Sequence, residues 1–264
     1  MSGAMFDKKR LLTKWSVAIK IAPILIIVIV MKFIIHFLGY EIMDLNALFT
    51  SVVAGTIFLL GFLISGVLTD YKESEKIPSE LAASLESLYD VTYKIYKGKN
   101  SDTAKEFIIY QKKFINSLND WFYKKEKTPS IIDKISGMNE FLIKLEKEGI
   151  PGNFITKMEN EQNNIRKILL RTHTIRDTNF IASGYAIVEA LGVAIAIGMI
   201  IIKIEPFFES FFFTVLVTFL VTYMIFLIKD LDNPFDYAAH GETGTEVSLK
   251  PLNDFSLRLN AFDR

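Results

Sequence analysis

Residues able to do chemistry are sparse in this chain of 264 residues, and their spacing suits no catalytic device. The three histidines, His36, His173 and His240, lie far apart in unrelated contexts. No carboxylate–histidine spacing resembles a metal-binding helix, and no glycine-rich phosphate loop is present. The chain has no cysteine, which removes thiolate metal sites and any disulfide framework. The residue types therefore point away from an enzyme and from a resident cofactor. Two other features carry more. Glu189 sits inside the apolar run IASGYAIVEALGVAIAIGMIII, where a carboxylate needs water or a partner. It suits either a structural hydrogen bond between helices or a group beside a wet pathway. Phe58 and Phe62, in FLLGFLISGVLTD, are four residues apart around Gly61, which puts both rings on one helix face, one turn apart. They are either lipid-facing bulk or the lining of something.

The elements that must position these residues are apolar. Half of the chain is hydrophobic, with 22 Phe, and the apolar residues fall into four blocks near 16–38, 47–69, 180–203 and 208–228. Each block is long enough to cross a hydrocarbon core of about 30 Å as a helix. Short connections, GYEIMDLN and the residues around Glu205-Pro206, make two hairpins. The first block is too long for a secretory signal, and it continues through Lys32 and His36 without a small-residue cleavage site. Lys32 and His36, near the end of that span, are expected to snorkel to the interface.

Basic residues set the orientation. Lys8, Lys9, Arg10 and Lys14 precede the first span, whereas the 39–46 connection carries only Glu41 and Asp44. The expected layout is a cytoplasmic tail (1–14), a transmembrane hairpin (15–69), a cytoplasmic helical bundle (70–179), a second hairpin (180–228) and a cytoplasmic C-terminal segment (229–264). The chain is thus expected in the plasma membrane with both termini inside, and its zero net charge gives no sign of nucleic acid as a partner.

The insert reads as helical throughout. A helix from Pro78 carries the stripe Leu81, Leu85, Leu88, Val91 and Ile95 until Gly98. A second helix begins near Ser101-Asp102 with Phe107, Phe114, Leu118 and Trp121. A third is capped by Thr128, with Pro129 at its first position, and carries Ile131, Ile135, Met138, Leu142 and Leu145. After GIPGN a fourth helix spans about 154–178, with Arg171, His173 and Arg176 on a solvated face. No segment alternates long enough to predict a strand.

At this point FLLGFLISGVLTD, with an Ile-Pro eight residues after it, resembles the second span of the bestrophins, pentameric ion channels. KWSVAIK (14–20) and KFIIHFLGY (32–40) resemble the two ends of the first span in that family, and DLDNPFD (230–236) resembles its Asn-Pro-Phe element. The order of four spans and a helical insert also agrees. The resemblance implies an all-α membrane protein forming a bestrophin-like homo-oligomer, a pentamer, in the lipid bilayer. It implies that Ala54, Phe58 and Phe62 line a hydrophobic neck, with Ser65, Thr69 and Asp70 continuing below it. A lower constriction would fall at Ile181. A ring of phenylalanines can gate by dewetting, and electropositive ring edges tolerate an anion. Small permeant ions are then the substrate, with chloride the family default.

Three departures matter. Ala54 replaces a bulky aliphatic, leaving two rings in the neck. The resemblance implies a polar turn after the second span, where TDYKESE stands in place of the family's basic, double-Trp element, and its Asp70, Glu73 and Glu75 favour cations, so a cation channel is the runner-up. Asp232, Asn233 and Asp236 mark the position where animal relatives bind calcium, yet no acidic cluster follows, and a hard cation wants six to eight oxygens. Calcium is therefore not expected. From another class, a non-conducting membrane-anchored scaffold, with the 78–178 bundle recruiting a partner, stays open. The C-terminal stretch 240–264 suits either a strap around a neighbouring subunit or a loose tail.

Overall fold

The structure is a computed structural model that describes residues 15–177, 182–237 and 246–261. The elements run α1 (Ser16–Leu38), β1 (Met43–Asp44), α2 (Ala47–Lys99), α3 (Asp102–Phe122), α4 (Thr128–Lys147), α5 (Gly152–Asp177), α6 (Ala182–Ile201), β2 (Ile202–Lys203), α7 (Phe207–Asp232) and α8 (Lys250–Ala261). They form two compact units, residues 1–71 with 179–233 and residues 72–178 with 234–264. Four helices, α1, α2, α6 and α7, are long and apolar enough to cross a membrane.

In the apolar unit, Leu60 and Val67 of α2 pack with Val188, Ile195 and Met199 of α6 and with Val221, Ile225 and Ile228 of α7. Helix α1 lies against α6 and α7. It ends where Gly39 takes φ +68, a backbone that only glycine adopts cheaply. The Gly39 and Tyr40 amides then close back on the carbonyls of His36 and Ile35. Gly198 allows a close approach: the Phe49 ring stands where a Cβ would be. Between the hairpin connections, β1 and β2 form a parallel bridge, Met43 to Ile202 and Asp44 to Lys203. Two-residue strands carry no alternation, and for that reason no periodicity announces them.

The last carbonyls of a buried helix need donors. At the end of α6 these come from side chains. Thr214 Oγ1 lies 3.1 Å from the Met199 carbonyl, Ser210 Oγ lies 3.4 Å from that of Ile202, and Lys32 Nζ donates to Ile202 at 2.6 Å. Lys32 is fully buried, and its ammonium meets Glu41 Oε1 at 2.7 Å. The expectation that Lys32 snorkels is therefore corrected: the side chain turns inward because carbonyls and a carboxylate await it there. His36 meets the same carboxylate at 2.9 Å while its ring stacks on Phe207 at 3.9 Å.

In the second unit, all three expected stripes, from Leu81 to Ile95, from Phe107 to Trp121 and from Ile131 to Leu145, are buried. Two buried glutamines between them are paired. Gln111 Nε2 donates to Thr92 Oγ1 at 2.8 Å, and Gln162 Nε2 donates to the Ile135 carbonyl at 2.7 Å. Two boundaries differ from expectation. TDYKESE is not a turn, since α2 is continuous from Ala47 to Lys99 with Pro78 inside it. A proline deletes one backbone hydrogen bond, and buried Ile77 and Leu81 anchor the helix on both sides of it. Thr128 is not the cap of α4, because Lys127 holds that position and the Thr128 hydroxyl accepts the Trp121 indole N–H at 3.0 Å.

Arg176 likewise leaves the solvated face expected for it. Its guanidinium lies 5.0 Å from the Trp121 ring centroid and donates to that residue's carbonyl. Leu252, Phe255 and Leu259 of α8 are buried, and α8 packs on α3 within the same unit.

Candidate functional site

The pore face implied by the resemblance lies on α2, and it is uncovered within the single chain. Between Ala54 and Thr69 the exposed positions are Ala54, Gly55, Phe58, Gly61, Phe62, Ser65, Gly66, Leu68 and Thr69. At 3.6 residues per turn they share one side of the helix, opposite buried Leu60 and Val67. Phe58 and Phe62 are 78% and 72% exposed, but Phe37 and Phe208 reach 82% and 83%, so exposure alone does not distinguish a pore from lipid.

The composition of the face differs between spans. The uncovered side of α1 is mostly bulky, with Ile19, Ile26, Ile27, Val30, Ile34 and Phe37, and that of α7 offers Phe208, Phe212, Phe213 and Leu216. The α2 face instead interleaves its two aromatic rings with glycines, alanine, serine and threonine. A Cβ at Gly55, Gly61 or Gly66 would meet nothing within 4 Å. Lipid gains little from such a face, whereas close approach of copies and hydration of small polar residues both suit it. Thr69 Oγ1 returns to the Ser65 carbonyl at 2.9 Å, leaving the helix intact while a hydroxyl lines the surface.

Below this face Asp70 and Glu75 are exposed. Glu73 is met by Arg171 at 2.7 Å and Lys76 at 3.2 Å, which offsets its charge. Ile181 lies outside the described residues. Glu189 has a partner that sequence spacing could not supply, the ammonium of Lys229 on α7, and both side chains are about half exposed. The Lys32–Glu41 pair was missed for the same reason. Its partners come from a span and a connection, and the carbonyls it serves lie on a third element.

Asp232 is engaged by the Tyr185 hydroxyl, and Asp236 is paired with the Lys124 ammonium. Among the described residues no group of three or more His, Cys, Asp or Glu could hold a metal ion.

No family model matches the chain, and no curated protein matches it. Solved structures do. Two single-residue variants of a bacterial bestrophin homolog from Klebsiella pneumoniae each superpose with a TM-score of 0.74 at 16% identity, covering 92% of this chain and 97% and 98% of their own. A further membrane protein gives 0.75 at 15% identity, over 91% of this chain and 97% of its own. The chain has the bestrophin fold, with its four apolar helices.

Proposed function

We propose that this chain forms a homopentameric ion channel in the plasma membrane, passive and without a catalytic residue, whose axial pore is lined by the α2 face from Ala54 to Asp70. The observation that carries this is the composition of that face: two rings among glycines, alanine, serine and threonine, where the exposed positions of α1 and α7 are mostly bulky and apolar. Five copies bring Phe58 and Phe62 into two stacked aromatic rings that exclude water when narrow and so gate. The fold shared with bacterial bestrophin homologs supports the assembly. Chloride is the permeant ion on the side of the ring edges. A second reading, cation conduction, is favoured by Asp70 and Glu75, both exposed at the end of the face. We propose further that gating needs no calcium, since the Lys124 ammonium already pairs with Asp236.

Flux through the purified protein in liposomes tests this. An anion gradient and then a cation gradient should drive flux, and the sign of the reversal potential decides the ion. No flux under either gradient, with no oligomer in detergent, would leave the scaffold as the function.

A further inference from the structure

A side cavity in the apolar unit, separate from the α2 face, has the form of a lipid site. It measures about 380 Å³, within the roughly 300–1,000 Å³ of ligand sites, and lies between α1, α6 and α7. Ile24, Val193, Ala196, Ile225 and Phe226 make its apolar wall, and the Glu189–Lys229 pair lines the same cavity. Ala196 is seven residues from Glu189 along α6, so the apolar wall extends about 10 Å from the charges at 1.5 Å per residue. It extends away from the Ser16 end of the unit, because α6 runs antiparallel to α7, and Asp232 at the end of α7 meets Tyr185. One turn before Ile24 on α1, Lys20 pairs with Asp230 at 2.7 Å.

The charge lining the cavity is the Glu189–Lys229 pair, with the Lys20–Asp230 pair next to it on α1 and α7, and the rest of the lining carries none. That pattern selects a headgroup. An anionic headgroup gains Lys229 but meets Glu189. A choline headgroup offers that carboxylate no N–H donor. An ethanolamine headgroup presents a phosphate to Lys229 and an ammonium with three N–H donors to Glu189, so both members of the pair gain a partner. We infer that this cavity is a binding site for an aminophospholipid of the phosphatidylethanolamine class, with headgroup at Glu189 and Lys229 and one acyl chain along Val193 and Ala196. The site is independent of whether the α2 face conducts ions.

The test uses the purified full chain given an equimolar mixture of phosphatidylethanolamine, phosphatidylcholine and phosphatidylglycerol, with retained lipid counted by native mass spectrometry. Phosphatidylethanolamine should be retained about tenfold over each of the others, an affinity difference of about 1.4 kcal/mol. The double variant Glu189→Gln, Lys229→Met should bind all three alike. Ala196→Phe, which fills the cavity and leaves both ion pairs in place, should lower total retention while thermal stability holds. A benzophenone side chain placed at Val193 should attach to lipid on illumination. Equal retention of the three lipids by the unaltered protein would overturn the inference. So would a preference that survives both variants, or attachment from position 193 to a second copy of the chain.

Discussion

Lys32 and Glu41 meet at 2.7 Å with the lysine side chain wholly removed from solvent, and the same ammonium caps the carbonyl of Ile202 at the end of another span. One charged atom thus joins the first hairpin to the second. Burial raises the Glu41 carboxyl, but Lys32 and His36 outweigh it and hold the group below the usual carboxylate range. Removing one partner strands the other, which is the costly way to break a buried pair.

Lys32→Met is accordingly expected to destabilise the detergent-solubilised protein by roughly 3–5 kcal/mol, read as a lowered thermal midpoint. Lys32→Met with Glu41→Gln should recover much of that loss. A double variant as unstable as the single would show that the carbonyl contacts, not the carboxylate, dominate.

Phe58→Ala with Phe62→Ala should raise liposome flux by about threefold or more, because two dewetting rings are removed while the buried side of α2 is untouched. Unchanged flux in a folded oligomer would place these rings against lipid.

Asp70→Lys is expected to shift the reversal potential toward anions, and Glu73→Gln to shift it far less, since Arg171 and Lys76 already meet Glu73. Equal shifts would remove the distinction between the two acids.

Gly198→Leu should clash with Phe49 and cost about 1–3 kcal/mol. Combining it with Phe49→Ala should restore part of the thermal midpoint. No cost from the single change would mean that α2 and α6 do not approach this closely.

Hydrogen bonds from Ser101 and Thr103 hold the Glu148 carboxyl below its ordinary 4.5. A depressed value means that these bonds stabilise the helical unit fully above 4.5 and are lost as pH falls through the lowered folded value. Between about pH 6 and about pH 3, the thermal midpoint of Glu148→Gln should therefore fall less than that of the unaltered protein. Parallel slopes would show that other carboxylates govern acid unfolding.

Much of the fold was legible because its signals are local. Length and apolarity are summed along the chain, so the four spans and the buried stripes of the helical unit follow from spacing alone. The α2 face was legible as a face, since Phe58, Phe62, Ser65 and Thr69 share one side by helical period. What covers that face is not a property of one helix, and only the contrast with the bulky surfaces of α1 and α7 gives it meaning. The turn that the resemblance implied at TDYKESE is absent, because the buried residues that keep α2 continuous are a matter of tertiary packing. Lys32 with Glu41 and Ile202, and Glu189 with Lys229, join residues from different spans. A charge in an apolar run announces that a partner is needed, and only the packing of helices decides which one. The sequence by itself determined the spans, their pairing into hairpins and the stripes that bury. The tertiary structure decided where each intramembrane charge rests, because desolvation is settled by neighbours brought together in space and not by neighbours along the chain.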